Sequence, residues 1–185
     1  MAGKLSRSLP MRKHHKSCKP LLARNRLREG CATDTIFFRI TCFEGYYCAK
    51  GFVVIDSKYR SIHGMKSEKH GPEAMLDFFH QEGISVLLTR DNSKMQTRAT
   101  WNEYMRRYWV KDNVIEPYHP RQNPFERDQA LSKQDSTKIM IESKVDPRRW
   151  FQVMCHTADL QNHRANSSNE DNIQHSSRLK GILAI

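Results

Sequence analysis

The sequence predicts an α/β domain: a mixed five-stranded sheet, with a three-strand antiparallel meander plus two further strands, flanked by helices. Two observations lead there. Three neighbouring runs rich in β-branched and aromatic residues, joined by short turns, fill the stretch from Asp34 to Met65. Beyond it, helical periodicity alternates with short apolar runs as far as Leu160. The predicted order is β-β-β-α-β-α-β-α-α, with no internal repeat.

The elements follow in turn. Asp34 to Ile40 opens the first strand, and Phe43-Glu44-Gly45 signals a turn. Tyr46 to Ile55 is the second strand, Asp56-Ser57-Lys58 a turn, and Tyr59 to Met65 the third strand. Glu44 and Asp56 belong to those turns. Pro72 suits the first turn of a helix, where its missing N–H costs nothing. Ala74, Met75, Phe78 and Phe79 follow at helical spacing, and Gly83 ends that helix. Ile84 to Leu88 is a short buried strand finishing at Thr89-Arg90-Asp91. Trp101, Tyr104, Met105, Tyr108 and Trp109 space as one amphipathic face, read as core rather than base-stacking residues. Asn113 to Pro117 is a brief strand, and a long helix with a poor apolar stripe runs from about Pro124 to Lys144. A last helix opens at Asp146 and carries Trp150, Val153, Met154, Thr157 and Leu160. On it His156 reads as a structural histidine.

The 185 residues suit one domain with tails. Residues 1–31 read as a basic arm without order, 32–165 as the core, and 166–185 as a polar, disordered tail. The formal charge is +11, and residues 1–33 hold nine Lys or Arg against one acid, Glu29. Such an arm attracts phosphate backbones without sequence preference. Its blander readings are a solubilising tail or a nuclear-localisation patch. Five cysteines without a Cys-x-x-Cys pair point to a reducing compartment rather than a disulfide framework. Cys42, Cys48 and Cys155 are expected to be buried thiols. His14, His15, Cys18 and Cys31 make a weak zinc set because the cysteine half lacks its spacing. No run of eighteen apolar residues suggests a membrane span, and no secretory signal is recognised. A nuclear or cytoplasmic location is expected.

Three carboxylates stand where this architecture converges: Asp34 on the first strand, Asp91 at the end of the fourth, and Glu126 in the first turn of the long helix. Carboxylate oxygens are hard ligands for Mg²⁺ or Mn²⁺. Two such ions about 4 Å apart activate a hydroxyl and stabilise the leaving oxygen of an in-line displacement. By themselves, three acids out of twenty are weak evidence. Glu116 is the reserve candidate for the third, and Arg90, beside Asp91, is positioned to pair with a carboxylate. His119, in a loop, reads as exposed.

The stretch Pro117-Tyr118-His119-Pro120-Arg121-Gln122-Asn123-Pro124-Phe125-Glu126-Arg127 resembles the PY-x-P-x-QN-x-x-ER signature of integrases from copia-type long-terminal-repeat retrotransposons, within the retroviral-integrase superfamily. Thr33-Asp34-Thr35-Ile36-Phe37 is similar to the segment with the family's first aspartate, and Leu87 to Asn92 to that with its second. Arg149-Trp150 and Asn162 to Ala165 are similar to the helix beyond the glutamate. The resemblance spans roughly residues 33–165 and is most specific from Gln122 to Arg127. It implies a ribonuclease-H-like fold and a two-ion Mg²⁺ or Mn²⁺ centre. It implies 3′-end processing and joining of element DNA to target DNA. Asp34 and Asp91 would share one ion, and Asp34 and Glu126 would hold the other. Gln122 and Asn123 would line a loop beside the DNA, and Arg127 and Lys133 would reach phosphates. Such proteins act as homo-oligomers. The alternatives are a nucleic-acid-binding relic of the same fold that has lost its catalysis, or a nuclease of that fold. The chain reads as a piece of a polyprotein or a decayed gene copy.

Overall fold

The computed structural model describes residues 26–91, 99–115 and 124–164. The strands are β1 (Gly30–Phe37), β2 (Cys48–Val54), β3 (Arg60–Met65), β4 (Leu87–Arg90) and β5 (Lys111–Val114). The helices are α1 (Gly71–Gln81), α2 (Ala99–Arg107), α3 (Pro124–Glu142) and α4 (Trp150–His163). The strands form one sheet in the order β3-β2-β1-β4-β5. β1, β2 and β3 are the antiparallel meander, and β4 and β5 join in parallel. This is the mixed sheet and element order that the sequence predicts.

Helices cover both faces. On one, Met75, Phe78 and Phe79 of α1 and Trp101 and Met105 of α2 pack on Cys31, Phe52, Val54 and Leu88. On the other, Phe125 of α3 and Trp150 and Met154 of α4 pack on Ala32, Ile36, Ala49 and Val53. β2 is buried along its whole length because both faces are covered. Phe38 stacks on Trp150, ring centroids 3.6 Å apart, and the Trp150 indole N–H donates to the Ile40 carbonyl at 2.8 Å. Pro72 lies in the first turn of α1, and Gly83 supplies the left-handed turn (φ 120°) after it.

The weak apolar stripe of α3 has a physical cause. Part of its contact with α4 is made by hydroxyls. Ser136 donates to Thr157 Oγ1 at 3.0 Å, and Ser132 to Gln161 Oε1 at 2.8 Å. Both serines are buried, so the pairing satisfies groups that a leucine heptad would have replaced.

Several expectations need correction. The domain starts earlier than residue 32. Arg26 bridges to Ile84, and Leu27 is fully buried with its N–H donating to the Ile84 carbonyl at 2.9 Å. Residues 26–29 alternate exposed and buried, and the buried Glu29 carboxylate accepts from the Ser57 N–H at 2.8 Å. A period-two pattern was therefore present within the basic arm, masked by its arginines. β1 accordingly begins four residues before Asp34. Trp109 is 76% exposed, because α2 stops at Arg107 before the helical spacing reaches it. His156 is exposed on the outer face of α4. Cys42 and Cys48 are buried as expected, and Cys155 is half-buried. Residues 1–25, 92–98, 116–123 and 165–185 lie outside the described residues, and with them His14, His15, Cys18, Glu116, His119, Gln122 and Asn123.

Candidate active site

The three acids come from three elements. Asp34 is the fifth residue of β1, the central strand, directly opposite Gly51 of β2. Asp91 follows the last residue of β4, the parallel neighbour of β1. Glu126 lies in the first turn of α3, next to Phe125.

A close approach positions α3. The Phe125 ring lies on Gly51, where a Cβ would stand 2.7 Å from Cε2. Only glycine admits the ring there, so the residue facing Asp34 across the ladder is also the seat for the helix that carries Glu126. The same alternation that turns Ala32 and Ile36 toward α3 and α4 turns Asp34 to that face.

The charges interact. Asp34 is half-buried, and its carboxyl sits above the ordinary carboxylate range. Burial is the main cause. The negative charges of Asp91 and Glu126 push in the same direction. The Thr35 N–H, donating to Asp34 Oδ1 at 2.6 Å, and the Lys50 ammonium pull the other way. Asp91 Oδ1 is buried and has no hydrogen-bond partner among the described residues. A buried carboxylate oxygen left without a donor is costly unless a cation meets it. Glu126 is exposed. Among the described residues, no three acid, histidine or cysteine side chains stand close enough to hold an ion as they are. The three carboxylates fit a hard divalent cation in chemistry, although as they stand they are not gathered into a coordination shell.

Behind the acids lies a layer of cations. Lys50 pairs with Thr35 across the ladder, so it points to the face opposite Asp34. It is 1% exposed. Its Nζ donates to Thr35 Oγ1 at 3.2 Å and lies 5.6 Å from the centre of the Trp101 ring. Burial pulls its ammonium down to about 8, against the attraction of Asp34 and Asp91. Arg90, also nearly buried, grips Asp112 with two bonds, Nε to Oδ1 at 2.9 Å and Nη2 to Oδ2 at 2.6 Å. It thus pairs with a carboxylate as expected, but with one outside the acid group. Its Nη1 reaches the Asp91 carbonyl at 3.2 Å. Lys50 was not legible as a site residue. A lysine in a β-rich run reads as solvent-facing until the strand is known to be covered on both sides.

The remaining predicted residues separate. Arg127 is exposed one position beyond Glu126. Lys133 is exposed two turns further along α3, where it borders a groove of about 360 Å³ with Phe38, Ile40, Met140 and Trp150. Cys31 is fully buried within β1, and burial pushes its thiol up. A core thiol facing α1 and α2 is not available as a zinc ligand, which removes the fourth member of that set.

No family model matches the chain, and no curated protein matches it in sequence. Solved structures match it in fold. A chain of the simian T-cell lymphotropic virus intasome in complex with PP2A regulatory subunit B56 gamma aligns with a TM-score of 0.70 at 14% identity. That alignment covers 83% of this chain and 54% of the other, so this chain spans about half its length. The HTLV-2 integrase catalytic core domain in complex with magnesium, in a trimeric form, aligns with a TM-score of 0.63 at 16% identity. There the alignment covers 82% of this chain and 95% of the other. The architecture is therefore that of the ribonuclease-H-like α/β class. Within the class, the fold is that of retroviral integrase catalytic cores.

Proposed function

We propose that this chain is the catalytic core of a copia-type retrotransposon integrase, which trims element ends and joins them to target DNA. The observation that carries the reading is the meeting of charges at Asp34, where burial, Asp91 and Glu126 all raise the carboxyl while Asp91 Oδ1 has no donor among the described residues. Asp34 and Asp91 would hold one Mg²⁺ or Mn²⁺, and Asp34 and Glu126 a second. Bound there, the ions supply charge neutralisation at the scissile phosphate and a more acidic attacking hydroxyl. The protein's part is position. Rigid β1 and β4 fix the two aspartates, and the Phe125–Gly51 seat sets the start of α3. Arg127 and Lys133 on α3, with Gln122 and Asn123 before it, would contact DNA. The basic N-terminal arm adds sequence-independent attraction. The active form would be a homo-oligomer on DNA, in the nucleus or cytoplasm. Among the described residues no helix is long and apolar enough to cross a membrane.

A second reading keeps the fold and the DNA contacts without the chemistry. It is favoured by the acids' failure to form a ready cage and by the buried Lys50 behind them. One experiment separates the two. Wild type and Asp91→Asn are assayed for nicking and strand transfer on labelled duplex with Mn²⁺, and for Mn²⁺ binding by calorimetry. Activity and binding that disappear in Asp91→Asn support the integrase. Salt-sensitive DNA binding with neither activity nor ion binding in the wild type supports the relic. Nicking without joining supports a nuclease of this fold.

A further inference from the structure

We propose that Trp109 is a stacking platform for an unpaired base, ringed by cations that take the neighbouring phosphates of a single-stranded nucleic acid. The corner after α2 is a closed Schellman turn. The Val110 N–H donates to the Met105 carbonyl at 3.0 Å, and the Trp109 N–H to the Arg106 carbonyl at 3.2 Å. Trp109 occupies the left-handed position of that turn, at φ 56°. Glycine is the usual occupant, because a side chain there is crowded by its own carbonyl. Here the position holds the bulkiest side chain, turned 76% into solvent. Packing does not account for this, since Met105 and Val110 already supply the apolar contact beneath the turn. A strained, exposed aromatic held by its surroundings is a reason to look for a ligand. The corner is also braced. Arg26 donates from Nη2 to the Tyr108 carbonyl at 2.8 Å and from Nη1 to the Trp109 carbonyl at 3.5 Å.

The surroundings choose the partner. Trp109 borders an open groove of about 750 Å³ with Asn102, Met105, Arg106, Val110, Lys111 and Asp112. Arg106, Arg107 and Lys111 are exposed and, among the described residues, in no ion pair. Asp112, the acid of this corner, is held by Arg90. One aromatic face among free cations suits a polyanion with flat bases better than an apolar protein surface. Duplex DNA buries its base faces, so the ligand is a single strand. Lys111 pairs with Leu87 at the start of β4, whereas Asp91 follows its end. The platform therefore lies across the length of β4 from the acids, and its binding needs neither metal nor catalysis.

The test uses the full chain in EDTA with an oligothymidylate and a blunt duplex of equal length. Trp101 and Trp150 are buried, so quenching of tryptophan emission by added DNA reports Trp109. The single strand is expected to quench emission and the duplex to do so weakly. Trp109→Gly should bind the single strand about tenfold more weakly or worse, as the loss of one stacked base implies. The same variant should melt no lower than wild type, because glycine suits the turn. That pairing of weaker binding with undiminished stability is one that a structural role for Trp109 cannot give. Undiminished single-strand binding by Trp109→Gly would overturn the proposal. So would wild-type emission unmoved by DNA, or self-association that only the variant loses.

Discussion

Replacing Lys50 with methionine should change how stability depends on pH, by an amount the structure sets. Lys50 is sealed between the sheet and Trp101, and its ammonium ionises at about 8 against an ordinary 10.5. The cause is burial, only partly offset by Asp34 and Asp91. Between those two pH values the unfolded chain holds a proton on this lysine that the folded chain has released. Stability therefore rises with pH across the window. The full span is worth roughly 3 kcal/mol, at 1.36 kcal/mol for each tenfold change in proton affinity. Between pH 7.5 and 9.5 about 2 kcal/mol of it should appear. The assay is urea unfolding of wild type and Lys50→Met at both pH values. The raised thiols of Cys31, Cys42 and Cys155 oppose the trend in both proteins and cancel in the difference, while Cys48, whose thiol the Lys50 charge pulls down, cancels only in part. Wild-type stability minus that of Lys50→Met should grow by about 2 kcal/mol on going to pH 9.5. A difference flat within about 0.5 kcal/mol would refute a desolvated cation behind the acids.

Three further outcomes follow from other contacts. Gly51→Ala drives a methyl into the Phe125 ring and should destabilise by about 1–3 kcal/mol in denaturant titration, with Mn²⁺ affinity reduced as the start of α3 shifts. Asn162 is buried and clamps both backbone groups of Arg60, accepting from its N–H at 2.8 Å and donating to its carbonyl at 2.7 Å. Asn162→Ala should cost about 2 kcal/mol or more by thermal melting, and an unchanged melting temperature would deny that clamp. Burial holds His63 at about 4, below its ordinary 6.5, so only the unfolded chain takes up the proton as pH falls through that range. Wild type should lose roughly 3 kcal/mol between pH 6.5 and 4 that His63→Gln retains, read from acid-unfolding midpoints.

Much of the fold was legible because its periods are strong. The meander and the Pro72 helix are where apolar spacing put them, and β4 lies within the predicted run from Ile84 to Asp91. β5 starts at Lys111, two residues ahead of the predicted Asn113, and is exposed along its length, so apolar spacing could not place it. The acids were legible as candidates because strand ends and helix starts converge in such sheets. What stayed hidden depends on tertiary context. Leu27 is a single apolar residue among arginines, and its burial requires knowing that Ile84 lies beside it. Trp109 continues the helical spacing of Trp101 and Met105, so only the turn that closes α2 reveals that it faces outward. Lys50 carries no signal of its own, because nothing local says that β2 is covered on both faces.

The central place of β1 also sets a schedule for synthesis. Its antiparallel neighbour β2 emerges soon after it, but Leu87 of its parallel neighbour lies 50 positions beyond Phe37. Until β4 arrives, the nascent chain presents one bare edge of β1, open to pairing with any other strand. Asp34 waits longer still, since Phe125 and α3 seal its face only after β5 is made. A product truncated before α3 would thus carry the first two acids on an unsealed sheet. Any fragment chosen for expression should run through α4, whose Asn162 fastens the far edge at Arg60.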